Sequence, residues 1–202
     1  MYTENELVNT NNSETKIITD VSNDKIITKG RGAGGANTNK NGLPYENLTD
    51  LSNIFVIKEK KNKFDVVKFP DSDLEFISCQ KRLHKYIESI NEKNKDILPA
   101  KGCKCPDESY VKIDNKKIFI IEKKFQQCSG SVDEKIQTAH FKKQHYQSLF
   151  PNYHVEYIYC LSDWFKNGYD AELNYLKNIG IPIFWGSDKD YKNKIINYMI
   201  KT

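Results

Sequence analysis

No stretch of about 18 consecutive apolar residues runs through this chain, and its first residues lack the apolar core of a signal peptide. A membrane span and a secretory leader are therefore not expected, and the composition points to a soluble, cytoplasmic protein without a membrane partner. No CxxC pair occurs either. The five cysteines, Cys79, Cys103, Cys105, Cys128 and Cys160, are an odd number, and Cys103-x-Cys105 is too tight for a zinc knuckle. Reduced thiols without a metal are the expectation. The four histidines, His84, His140, His145 and His154, share no spacing that would gather them around an ion. A strong charge of one sign is also missing, with 31 Lys+Arg against 27 Asp+Glu and a net of +4. Taken alone, that is a weak signal for nucleic acid. Its distribution says more, because residues 1–53 carry −2 and residues 54–202 therefore carry +6.

What is present is enough for a core. A chain of 202 residues with 38% hydrophobic and 12% aromatic side chains is expected to form one domain, over residues 30–202, behind an N-terminal arm at 1–29. The arm is rich in Asn, Thr and Ser. It repeats Lys16-Ile17-Ile18-Thr19 as Lys25-Ile26-Ile27-Thr28, which is either a small hairpin or a poorly ordered segment. Half of the ten glycines then fall in residues 30–42. No Gly-Lys-Ser/Thr closes this stretch, so it is not a P-loop, and no long apolar strand leads into it as a dinucleotide fingerprint requires. Glycine disfavours both helix and strand, so a loop is expected throughout. Arg31, Asn37, Asn39 and Lys40, interleaved with the glycines, are candidates for contacting a phosphate backbone.

Downstream, the periodicities predict a helix over 43–51, with Pro44 in its first turn and Tyr45, Leu48 and Leu51 on one face. Strands follow at 54–57 and 64–69, with a solvated turn at 59–63. An amphipathic helix is expected over 79–94 on the spacing of Leu83, Tyr86, Ile87 and Ile90. Strands at 109–113 and 117–126 flank the turn Asp114-Asn115-Lys116 and should pair antiparallel. Ser131-Val132-Asp133-Glu134 reads as a capping box that opens a helix reaching Leu149, with Val132, Ile136, Ala139 and Tyr146 on its apolar face. A buried strand at 155–161, a helix at 170–178 stopped by Gly180, a strand at 181–185 and a helix at 188–200 complete the order. The expected fold is α/β, a mixed sheet flanked by helices. Tyr153, Tyr157, Tyr159, Trp164, Phe184 and Trp185 read as core rather than as platforms for bases.

One strand carries charges that need a reason. Side chains alternate along residues 117–126, so Ile118, Ile120, Glu122, Lys124 and Gln126 share one face, and Phe119, Ile121, Lys123 and Phe125 the other. Glu122 and Lys124 then stand about 7 Å apart by strand geometry. The hairpin folds Asp107, near the start of the partner strand, back beside Glu122. Two carboxylates and an ammonium converge at one end of the sheet, and an unpaired buried charge there would cost several kcal/mol. A divalent cation together with a phosphate substrate supplies partners for them. Mg²⁺ bridging Asp107 and Glu122 would reverse the local field for an anionic substrate, and Lys124 would orient or deprotonate water. The absence of soft ligands favours Mg²⁺ or Mn²⁺ over zinc.

These residues resemble a known family. Pro106-Asp107, fourteen intervening residues, and Glu122-Lys123-Lys124 look like the signature of the PD-(D/E)xK nucleases, which include many type II restriction endonucleases. The resemblance extends over roughly residues 43–161 in the order of elements. It implies a restriction-endonuclease-like α/β/α core and catalytic Asp107, Glu122 and Lys124. It also implies a metal site of Asp107 and Glu122 assisted by Glu46 on the preceding helix. The activity implied is Mg²⁺-dependent, site-specific hydrolysis of double-stranded DNA by a homodimer, alongside a cognate DNA methyltransferase of the same restriction-modification system. Ser131 and Lys135, at the start of the helix after the site, are further candidates for phosphate contact. Lys142, Lys143 and His145 either track a DNA backbone or form a solvated helix face, and Gln137 reads as a surface amide. A structure-specific repair or junction nuclease and a non-catalytic DNA-binding module are the alternative readings.

Overall fold

Seven short runs rich in β-branched and aromatic residues pair into one mixed sheet whose spatial order is the order of the chain. The computed structural model describes residues 36–61, 64–90, 103–127 and 132–202. The expected arm at 1–29, the residues 30–35 with Arg31, and Cys128 and Ser131 lie outside the described residues. The strands are β1 (Val56–Lys60), β2 (Asp65–Lys68), β3 (Glu75–Ser78), β4 (Glu108–Lys112), β5 (Lys117–Lys124), β6 (His154–Leu161) and β7 (Ile183–Trp185). From β1 to β5 every pairing is antiparallel, and β5, β6 and β7 run parallel. The helices are α1 (Ala36–Leu48), α2 (Leu83–Ile90), α3 (Val132–Gln137), α4 (Ala139–Leu149), α5 (Asp170–Asn178) and α6 (Tyr191–Lys201).

The alternation in β5 and β6 separates two cores. Ile118, Ile120, Tyr157 and Tyr159 pack with Leu83 and Ile87 of α2, Ile136 of α3, Ala139 and Tyr146 of α4 and Leu176 of α5. Phe119, Ile121, Ile158 and Cys160 pack on the other side with Tyr45 of α1 and with Tyr191, Ile195, Ile196 and Met199 of α6. A sheet covered on both faces needs its central strands apolar on both sides, and residues 118–121 of β5 are buried without exception. The result is the α/β layering expected, with a seven-stranded mixed sheet flanked by helices.

Several elements depart from the sequence reading. Residues 36–42, expected in the glycine-rich loop, are helical, so Asn37, Asn39 and Lys40 sit on the first turns of α1 rather than on a loop. The clustered glycines end at Gly35, and the single Gly42 is tolerated because a lone glycine costs a helix only about 1 kcal/mol. Pro44 consequently lies inside α1 instead of in its first turn. Leu48 is 53% exposed, and the buried face of this region is Tyr45, Thr49 and Leu51. β1 starts at Val56, and β3 was not anticipated at all: four residues behind Asp71-Ser72-Asp73 are too few for alternation to register. The helix expected over 79–94 divides into a 3₁₀ turn at Gln80–Arg82 and α2, while residues 91–102 lie outside the description. The long helix expected to reach Leu149 is broken at Thr138 into α3 and α4. The Thr138 hydroxyl donates to the carbonyl of Lys135 at 2.8 Å, a side-chain bond that competes with the helical ladder.

α1 is pressed against the sheet. The Tyr191 hydroxyl donates to the carbonyl of Thr49, and the Tyr45 hydroxyl lies 3.5 Å from the Cys160 thiol. Gly186, which follows β7, faces both residues, and a Cβ placed there would stand 2.8 Å from Cζ of Tyr45 and 2.9 Å from Cγ2 of Thr49. Gly186→Ala is therefore expected to destabilise the fold by about 1–3 kcal/mol, as overpacking does. A urea titration checks this, and an unchanged midpoint would mean that α1 does not press on this end of the sheet.

Candidate active site

The β4–β5 hairpin builds the site. Glu108 pairs with Ile121, so one further step of the antiparallel register sets Asp107 against Glu122. The bond that fixes this runs from the backbone N–H of Lys123 to Oδ2 of Asp107, at 2.8 Å. The segment before Asp107 is held as well: the carbonyl of Lys104 accepts from the Tyr146 hydroxyl at 2.9 Å and lies 3.0 Å from Nε2 of His84. A buried Pro106 follows and stiffens the approach. His84 and Tyr146, from α2 and α4, thus position the aspartate from the face of the sheet that carries it.

Asp107, Glu122 and Lys124, picked from the sequence, come together on one face as the alternation requires. The Lys124 ammonium stands 2.6 Å from Oε1 of Glu122 and 3.7 Å from Oδ2 of Asp107, and it donates to the carbonyl of Lys123 at 3.1 Å. Three oxygens therefore surround one cationic group. A fourth participant was not picked out for the site: Lys142 of α4 places its ammonium 2.5 Å from the same Oε1. Its signal was available in outline, since Lys142 lies one turn before Tyr146, which belongs to the helix face turned to the sheet.

The two carboxyls are held differently. Burial pushes Asp107 above the ordinary aspartate range. Lys124 pulls the other way, and the neighbouring charge of Glu122 adds to the rise. For Glu122 burial also raises the pKa, but the ammoniums of Lys124 and Lys142 outweigh it and hold the group below its ordinary value. Glu122 is the anion of the pair, and Asp107 is the group that takes up a proton more readily.

On the opposite face a second pair sits back to back with the first. Lys123, buried, meets Glu108, fully buried, at 2.8 Å, and also donates to the carbonyl of Glu46 at 3.1 Å. Oε1 of Glu108 accepts from the N–H of Leu51 at 3.0 Å and from the Tyr110 hydroxyl at 2.6 Å. Burial raises the pKa of Glu108, opposed by Lys123. This network ties the end of α1 to the hairpin. The Glu46 carboxylate pairs with Lys81 at 3.0 Å and is not gathered with Asp107 and Glu122 into one ligand set. Among the described residues no three His, Cys, Asp or Glu side chains cluster closely enough to hold an ion. The donor set that does converge, two carboxylates and the Lys123 carbonyl around one positive group, suits a hard cation such as Mg²⁺ or Mn²⁺. Of the remaining candidates, Lys135 is exposed on α3.

No family model, curated protein or solved structure matches this chain. No helix among the described residues is long and apolar enough to cross a membrane.

The unequal carboxyls predict opposite stability effects. Asp107→Asn keeps an acceptor for the Lys123 N–H and relieves repulsion, and is expected to stabilise by about 0.5–1 kcal/mol. Glu122→Gln strands two ammoniums and is expected to cost about 1–3 kcal/mol at neutral pH. The Glu122 contribution is present above the ordinary carboxylate range and is lost as pH falls through its lowered folded value. Denaturation of both variants at neutral pH and below about pH 4 measures this. Equal losses from the two substitutions would contradict the assignment.

Proposed function

We propose that the chain is a type II, site-specific deoxyribonuclease that hydrolyses phosphodiester bonds of double-stranded DNA with Mg²⁺ or Mn²⁺. The observation that carries this reading is the convergence of Asp107, Glu122 and Lys124 at the end of β4 and β5, with three oxygens turned to one positive centre. Asp107, Glu122 and the Lys123 carbonyl would hold the cation, and Glu46, across the sheet edge on α1, stands as an outer assistant. The cation supplies Lewis-acid polarisation of the phosphate oxygens when bound.

The chain's own groups do the rest. Glu122, kept ionised by its lysine partners, provides the negative field that a cation needs. Lys124 directs the attacking water and sets its positive charge against the oxygens of the phosphorane. Water adds to phosphorus and gives up one proton to solvent, the ester P–O bond opens, and the departing sugar oxygen takes a proton from solvent in its place. The basic balance of residues 54–202 favours approach of a polyanion. Arg31, Asn37, Asn39, Lys40, Ser131 and Lys135 are the proposed backbone contacts, those on α1 now from a helix rather than a loop. Within this reading the enzyme is cytoplasmic and acts as a homodimer, because a two-fold pair matches a palindromic site and delivers two cuts. A methyltransferase of the same system would protect the host sites.

Plasmid DNA incubated with the purified protein should give discrete fragments with Mg²⁺ and none with EDTA. Asp107→Ala, Glu122→Ala and Lys124→Ala are each expected to slow cleavage by about 10²–10⁴-fold while DNA binding is retained. Cuts that follow junctions or flaps rather than sequence would point to a repair nuclease. Full activity in all three variants would reduce the cluster to surface charge.

A further inference from the structure

Glu122 holds more positive charge than its role as a cation ligand allows. The ammoniums of Lys124 and Lys142 approach the same oxygen, Oε1, at 2.6 and 2.5 Å. A carboxylate oxygen has two lone-pair directions, so Oε1 is fully engaged. A divalent cation entering beside it would place four positive charges against the two of Asp107 and Glu122. Repulsion among them favours the departure of one ammonium. Among the described residues, Lys124 is tied to Glu122, Asp107 and the Lys123 carbonyl, whereas Lys142 is tied to Glu122 alone. Lys142 is also the more open to solvent, 25% against 14%, and reaches in from α4 on a flexible four-carbon stem.

We infer that Lys142 is a displaceable latch: it occupies Glu122 before the cation arrives, yields the carboxylate to it, and turns its ammonium onto the substrate phosphate. The inference rests on the nuclease reading and adds a catalytic residue from a different element. Together with Lys124, Lys142 offsets the Glu122 carboxylate, which relieves the repulsion between the two facing acids. Released, it remains within reach of an anion lying over the site, where a mobile cation offsets the charge that develops on phosphorus.

The test separates affinity from rate. Mn²⁺ binding to the protein without DNA is measured by the spin-resonance signal of the free ion, for wild type, Lys142→Met, Lys142→Arg and Lys143→Met. A latch predicts that Lys142→Met binds Mn²⁺ about tenfold more tightly, since a competing unit charge is gone. Lys142→Arg and Lys143→Met should stay near wild type, the first because it keeps the competitor, the second because it removes a charge outside the contact. Single-turnover cleavage at saturating Mn²⁺ should fall about tenfold or more in Lys142→Met and much less in Lys142→Arg. Unchanged or weaker Mn²⁺ affinity in Lys142→Met would overturn the latch, as would an equal gain in Lys143→Met. An undiminished cleavage rate would overturn the transfer to phosphate. If wild type and variants alike bind no Mn²⁺, the nuclease reading fails and the latch with it.

Discussion

The structure depends on pairing charges that the strand alternation drives inward. In β5, Glu122, Lys123 and Lys124 are consecutive, so they must point to alternate faces of a sheet that is covered on both sides. Each charge then needs a partner, because an isolated ion in such surroundings costs several kcal/mol. β4 supplies the partners by the same alternation: Asp107 to the face of Glu122 and Lys124, Glu108 to the face of Lys123. The two acid–lysine clusters are a single device seen from both sides of the sheet. Slipping the β4–β5 register by one residue would exchange the faces and leave all five charges opposite the wrong neighbours.

The two clusters do different things because their surroundings differ. Glu108 and Lys123 are almost wholly excluded from water, and their remaining bonds go to the backbone of α1 at Glu46, to that of Leu51 just after it, and to Tyr110. That pair anchors a helix. Its geometry is closed, and an anion has no approach to it. Asp107, Glu122 and Lys124 keep between 8% and 21% of their side-chain surface open, and beside the Lys123 backbone their partners include the flexible ammoniums of Lys124 and Lys142. Rigid support on one face and open, exchangeable pairing on the other is the arrangement that a site for a charged ligand requires.

How far the sequence discloses this follows from the range over which each signal acts. The β4–β5 hairpin was legible because its turn, its alternation and its charges lie within twenty residues, and Asp107, Glu122 and Lys124 could be placed from strand geometry alone. β6 and α5 were legible for the same reason: a sustained apolar run in one, a clean period with Gly180 as its stop in the other. The first turns of α1 were not, because helicity at residues 36–42, ahead of Pro44, runs against local propensity. Its buried contacts are long-range, with Tyr45 against Cys160 and Gly186 and Thr49 against Tyr191. Tertiary packing overrides weak propensity, and such packing leaves no periodic trace. Lys142 was visible only as one of several lysines on a helix. What distinguishes it is that Tyr146, one turn later, belongs to the sheet-facing side of α4, and that the parallel step from β5 to β6 lays α4 over the end of β5.

The break at Thr138 bears on the same point. A continuous helix from residue 132 would carry its phase unbroken to Lys142, with each residue turned about 100° from the last. The Thr138 hydroxyl closes on Lys135 instead, and a new helix begins at Ala139. Ile136 and Ala139 both remain in the core on either side of the break, as does Tyr146. Ile136, Ala139 and Tyr146 keep one helical phase across the break, and that phase carries Lys142, one turn before Tyr146, to the sheet edge rather than to solvent. The face of α4 that carries Tyr146, and not the break, decides which of the lysines on this helix meets Glu122, and so which residue completes the charge balance of the site.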